Sequence, residues 1–227
     1  MPKKTSINRA VEELLNAKPF IQDMFKIDIV NYSGVARYLM PSLKTRLGKQ
    51  DINPEAVIMA VKRYAEKIRG EPVSDRVLAV LSKCDLRLKG DLVDITLNKT
   101  VENYSIAMAV YDKIDWNRGD IIHVYQSLTE IAILLDNKNK QYLKGTEPVH
   151  IEENLAMITL KTPPEMVEVV GFVYYLLGLL SNEGVNLIDV ISTFTELNFV
   201  VKEEDGAETY NVLFNSIKEA RKAVKNS

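Results

Sequence analysis

The sequence predicts an α+β protein, a helical front third followed by two copies of one mixed strand-and-helix unit. Three observations predict it. Apolar residues recur at helical spacing as far as Ile68. Behind them, "RGDIIHVYQSLTEIAILL" (118–135) and "EGVNLIDVISTFTELNFVV" (183–201) repeat one pattern of Gly, apolar β run, polar break and second apolar run. The charge changes sign between front and back. Residues 1–90 carry 17 Lys and Arg against 10 Asp and Glu, and residues 91–227 carry 12 against 21. That asymmetry suggests modules with different partners, or simply an uneven solvated surface.

From Ile7 to Phe25, Val11, Leu14, Leu15, Ala17 and Ile21 mark helix, with Pro19 bending or ending its first part. "NYSGVARYLM" follows, with Ser33 as the expected N-cap. Pro41 is expected to open a separate short helix, "PSLKTRL", that Gly48 closes. Asn53 caps the clearest helix, with Pro54 at its first position, and Gly70 is expected to stop it. Val57, Ala60, Val61, Tyr64 and Ile68 form its apolar stripe.

Short helices ahead of a basic helix outline a helix-turn-helix-like module. Arg37, Lys44, Arg46, Lys62, Arg63 and Arg69 would then contact phosphates. Basic residues late in a helix also complement its dipole, so a plain packing or oligomerisation domain stands beside the DNA reading.

The repeat begins earlier than its hairpins. "LVDITL" (92–97) matches "LAMITL" (155–160), an offset of 63; Gly119 matches Gly184 at 65; Thr129-Glu130 match Thr195-Glu196 at 66. Helical stretches lie between, "VENYSIAMAVYDKI", presenting Tyr104, Ala107, Met108 and Tyr111, and "MVEVVGFVYYLLGLLSNEG", with Val169, Val173, Leu176, Leu177 and Leu180 on one side. Each unit reads strand, helix, strand, tight turn, strand, helix, a ferredoxin-like βαββαβ unit with both helices on one face. The expected division is a helical domain over 1–72, a first unit over 73–150 and a second over 151–227.

The residues 154–205 resemble an ACT domain, most closely the regulatory tail of aspartokinases. The resemblance rests on Gly184-Val185-Asn186-Leu187, Ile191-Ser192 and Glu196-Leu197-Asn198-Phe199-Val200-Val201, with Tyr125-Gln126-Ser127 in the first copy. As a whole, the chain is similar to archaeal-type predicted regulators of amino-acid metabolism with an ACT domain behind a small helical domain. The resemblance implies an effector amino acid held between paired units, after strand one and at the start of strand two. Carried over, those positions are Lys99, Thr100, Asp120, Ile121 and Gln126 in the first unit, and Glu165, Met166, Asn186, Leu187 and Asp189 in the second. Backbone N–H groups there would attract a carboxylate, and Asp120 or Asp189 an ammonium. It also implies interleaving, with "CDLRL" (84–88) completing the second sheet and "PVHIE" (148–152) the first. "VNLIDVIST" is one residue long for its strand, which predicts a β-bulge.

Other chemistry finds little footing. His123 and His150 lack metal-ligand spacing to other donors, and no phosphate loop or nucleophile elbow occurs. No cofactor or metal is expected. One cysteine, Cys84, fits a reducing cytoplasm, and neither a signal peptide nor a membrane-length apolar run is seen. The expectation is a non-catalytic amino-acid sensor that signals through its helical domain. The alternative is a scaffold subunit pairing its sheet with a biosynthetic enzyme. Exposed sheet edges favour a homodimer.

Overall fold

The computed structural model describes residues 6–26, 29–69 and 75–226. Two compact units divide the chain, Met1–Ser74 and Asp75–Ser227. The expected stop at Gly70 and the expected boundary after residue 72 fall outside the described residues.

The first unit holds α1 (Ile7–Asn16), α2 (Pro19–Lys26), α3 (Tyr32–Leu47) and α4 (Pro54–Ile68). Val11, Leu15, Leu39, Leu43, Val57 and Val61 are buried in its shared core. Asn31, not Ser33, caps α3, accepting a bond from the Gly34 N–H at 3.0 Å. Pro41 does not open a new helix but lies inside α3. The proline removes one backbone donor and leaves the Arg37 carbonyl on an exposed turn, where water can serve it. Gly48 (φ 62°) ends α3, while Asn53 and Pro54 open α4 as expected.

The second unit is a six-stranded antiparallel sheet with helices on its outer face. Its elements are α5 (Asp75–Ser82), β1 (Asp85–Asn98), α6 (Val101–Val110), β2 (Ile122–Gln126), β3 (Glu130–Asp136), β4 (His150–Lys161), α7 (Phe172–Asn182), β5 (Leu187–Ser192), β6 (Glu196–Lys202) and α8 (Glu203–Lys225). The strand order is β2-β3-β1-β4-β6-β5.

The two central strands each serve both repeats. Asp85–Leu88 of β1 pair with Ile158–Lys161 of β4, and Leu92–Asn98 pair with β3. His150–Glu152 of β4 pair with Asp94–Thr96, and Leu155–Lys161 pair with β6. The interleaving that the resemblance implies is therefore present. Residue 150, where the first repeat was expected to end, is the first residue of β4.

Each shared strand changes repeat at an irregularity. The register slips once between Lys89 and Leu92 and again between Leu92 and Asp94. Asp91 and Asn154 sit there with φ 56°, in the left-handed region that Asp and Asn tolerate best after glycine. They are 63 residues apart, the offset of the strands themselves. One extra residue reverses the alternation of faces. Leu86 thus packs into the second repeat's helical core, while Val93, Ile95 and Leu97 pack into the first's. In β4 the change runs from Ile151 to Ala156, Ile158 and Leu160. Without the bulges, one half of each strand would turn its apolar side away from the helices.

The second repeat has the fuller cover. Phe172, Leu176 and Leu180 of α7, Val77, Val80 and Leu81 of α5, and Leu213, Ile217 and Ala220 of α8 close over Ile158, Leu160 and Phe199. Gly206 lets α8 come close to β4, since a Cβ there would lie 3.0 Å from the Ala156 Cβ. Arg221 donates to the carbonyls of Ser82 (2.9 Å) and Cys84 (2.8 Å) at the end of α5. Cys84 is buried, and desolvation pushes its thiol up to about 12.

Three helical expectations need correction. The segment from Met166 is not one helix: a 3-10 turn at Pro164–Glu168 precedes α7, which starts at Phe172 behind Gly171 (φ 87°). The proline pair and Val169-Val170 disfavour a continuous α-helix there. In α6 the inward residues are Ala107 and Val110, with Ile114 beyond; Tyr104 and Met108 face solvent. The first repeat also lacks a second α-helix, having a 3-10 segment, Asn137–Leu143, where the second repeat has α8.

Candidate functional site

The sheet curls so that its two edge strands, β2 and β5, contribute to one cleft on the face away from the helices. Beneath it lies a small inner core of Leu92, Leu134, Leu155, Met157 and Val200. The cleft is about 360 Å³. Strand alternation fills it. With Val93, Ile95 and Leu97 turned to the helices, Asp94 and Thr96 must face inward. Tyr125, Ala132, Thr96 and His150 form one cross-strand row over four strands.

The centre of the cleft is a hydroxyl between two carboxylates. Tyr125 Oη donates to Asp94 Oδ2 at 2.5 Å, and Asp189, from the opposite sheet edge, lines the same cleft. One hydroxyl proton cannot serve both acids at once. Burial raises the Asp94 pKa, and the Asp189 charge adds to the rise, partly offset by Tyr125, His150 and Thr96. Burial, with the two acids beside it, holds Tyr125 protonated well above its usual range. Nearby, Glu152 is held low by Lys202 first and His150 second. His150 Nε2 lies 2.8 Å from Glu152 Oε2. The centre is therefore rich in acceptors and short of positive charge.

Of the ten ligand positions expected from the sequence, Asp189 alone lines this cleft. Its strand carries the expected bulge, between Leu187 and Asp189. The other nine are dispersed. Thr100 caps α6 through the Asn103 N–H (3.0 Å), and Lys99 Nζ reaches the Ser127 carbonyl (3.1 Å). Gln126 and Asn186 are exposed. Asp120 does meet an ammonium, but it is that of Lys138, at 2.6 Å, with Asn139 beside it at 3.0 Å. The Ile121 N–H donates to Asp136 (2.7 Å). Glu165 pairs with Lys83 (2.7 Å), Met166 is buried in the second repeat's core and Leu187 packs against that core.

Sequence reading missed Asp94 and Tyr125. The available signal was period two: an Asp inside "LVDITL", on the opposite face from three core residues. In the helical unit, Arg37, Arg46, Lys62, Arg63 and Arg69 are exposed and Lys44 is half-buried. Arg46 pairs with Glu13, and Lys62 with Glu66 at 3.9 Å. Among the described residues no group of acids, histidines and cysteine could hold a metal, and no helix is long and apolar enough to cross a membrane.

No protein-family model and no curated protein matches the chain. Solved structures show partial likenesses. An aspartate kinase of Clostridium acetobutylicum is 14% identical with a TM-score of 0.48, over 58% of this chain and 34% of that one. The regulatory subunit of aspartate kinase from Thermus thermophilus is 10% identical with a TM-score of 0.46, over 58% of this chain and 95% of that one. A Vibrio cholerae protein of unknown function, described as a possible transport protein, is 18% identical with a TM-score of 0.46, over 63% and 97%. The chain thus spans about a third of the length of the Clostridium enzyme. The fold and the cleft rest on the strand pairing and side-chain geometry above.

Proposed function

We propose that this protein is a non-catalytic regulator of amino-acid metabolism whose ACT-like repeats sense a small amino acid. The observation that carries this reading is the Tyr125 hydroxyl bound to Asp94 in a cleft that Asp189 also lines, Tyr125 and Asp189 coming from opposite edges of one curled sheet. A ligand ammonium seated there relieves the shortage of positive charge and ties the two edges together. Ser127 and His150 at the rim offer donors to the ligand's carboxylate. Such a ligand favours the closed arrangement only so far as it binds that arrangement better. The N-terminal helical unit carries the output.

A thermal-shift screen of the free amino acids tests the sensing step. At a ligand concentration of about 100 Kd, mass action stabilises the bound fold by about 2.7 kcal/mol. That is a rise of roughly 5–10 °C for a domain of this size. Asp189→Asn and Tyr125→Phe should abolish or sharply reduce the rise. A flat response across the panel overturns the proposal. Salt-dependent binding of the full chain to duplex DNA, weakened by Arg63→Glu, would assign the output to DNA; no binding removes DNA from the reading.

A further inference from the structure

The sheet face turned away from the helices is buried at its middle. Leu92, Leu134, Leu155, Met157 and Val200 on that face are each 5% exposed or less, and Asn198, two residues from Val200, is 1% exposed. Among the described residues that core draws on no helix; its cover comes from the ends of the sheet. Ile121 and Tyr125 at the β2 edge and Ile191 at the β5 edge pack on the same five residues. Burial lowers the His123 pKa, and the charge of Glu196, from β6 at the other end of the sheet, partly offsets that. The bulges of the β1–β4 and β5–β6 ladders supply the curl that brings the ends together. Every pair of neighbouring strands is antiparallel, so across the order β2-β3-β1-β4-β6-β5 the two edges also run antiparallel to each other. Each edge keeps one side of its backbone outside the ladders. Neither "IHVYQ" nor "LIDVIS" contains the proline or lysine that commonly protects an edge from pairing.

We propose that β2 and β5 are the two sides of a seam that closes: they pair with each other, antiparallel, and complete a six-stranded barrel with the cleft at one end of the seam. The core shared by both edges identifies each as the other's partner. Closure also leaves the sheet without an edge. Tyr125 and Asp189 both line the cleft, so in the closed seam they stand opposite each other. By the same register His123 stands opposite Ile191, and Val124 meets Val190 on the outer side. A ligand that bridges Tyr125 and Asp189 favours closure. That effect rests on the proposed amino-acid sensing; the pairing of β2 with β5 does not.

The test crosslinks the seam in the full chain carrying Cys84→Ala, first without any ligand. Val124→Cys with Val190→Cys joins outward residues in register. Val124→Cys with Ser192→Cys is displaced by two residues. A disulfide needs Cα atoms about 4.4–6.8 Å apart. Mild oxidation should therefore close the first pair within one molecule at least tenfold faster than the second. Equal rates, or no disulfide in either pair, would overturn the proposal. A disulfide that forms only between molecules would also overturn it, by naming a second copy as the strand's partner. Hydrogen exchange on the unaltered chain gives a check free of substitutions. Amides of β2 and β5 that bond to neither β3 nor β6 should exchange at least tenfold more slowly than Leu128 at its exposed hairpin tip. Exchange as fast as at Leu128 would overturn the proposal. An amino acid found by thermal shift should speed the in-register crosslink; an unchanged rate would overturn the link between ligand and seam alone. A flat amino-acid panel beside fast in-register crosslinking would support the seam and overturn the sensing.

Discussion

The two repeats share strand order, hairpins, the bulges of β1 and β4 and even their loop ties, yet one is covered by three helices and the other by one helix and a 3-10 segment. Lys99 N–H bonds to Thr129 O at 2.8 Å, and Thr162 N–H bonds to Thr195 O at the same distance. Asp91 and Asn154 make the same exceptional turn of the backbone. Against that sameness, α5 and α8 cover the second repeat, while the first has α6 and a 3-10 segment. The sheet is thus the conserved geometry within the chain, and the helical roof is the part free to differ.

The largest test of this contrast removes core volume from each repeat. Phe199→Ala should cost about 3–5 kcal/mol, and Ile133→Ala somewhat less, within about 2–5 kcal/mol. Both side chains are fully buried. Denaturant melts of the full chain would measure both. Equal costs with identical transitions would show that the thinner roof does not weaken the first repeat.

The bulges come next. Asp91→Val and Asn154→Val each place a β-branched residue in the left-handed region, at about 1–2 kcal/mol apiece. Similar losses at the two sites would confirm that they do equivalent work; a loss at one alone would break the symmetry. Arg221→Ala should cost about 1–2 kcal/mol by unbinding α8 from the end of α5, read as faster amide exchange in α5 with the first repeat unaffected.

The smallest effect is a pH slope. The folded Asp94 carboxyl has a raised pKa, so between the unfolded carboxylate value and that raised value the folded state holds the extra proton. Stability therefore falls as pH rises through this window. Asp94→Asn should remove that fall, visible as a flatter melting temperature against pH above 3.8. An unchanged slope would show that Tyr125 already neutralises the burial penalty.

Much of this architecture was legible in the chain. Hairpins followed from apolar runs around short polar breaks, and the extra residue in "VNLIDVIST" emerged as the bulge before Asp189. Interleaving was implied by the resemblance to aspartokinase tails, which pointed to "CDLRL" and "PVHIE" as the completing strands, and both segments pair as that implies. The cleft was not legible, because local pattern places Tyr125 and Asp189 on edge strands and only the sheet's curl brings them together. Pro41 misled because its helix-breaking tendency is local, while the burial of Leu39 and Leu43 on either side favours continuing α3. The missing helix of the first repeat was obscured by the repeat itself, since matching sequences at the hairpins invited a match beyond them.

Sharing strands also sets an order of events at synthesis. Asp85–Leu88 find their partners only when Ile158–Lys161 exist. On a ribosome adding roughly 5–20 residues per second, that edge waits several seconds with its backbone groups unclaimed. Neither repeat can finish alone, so the nascent chain holds an incomplete sheet until β4 emerges, and slow translation of that stretch is the moment when chaperones have most to cover.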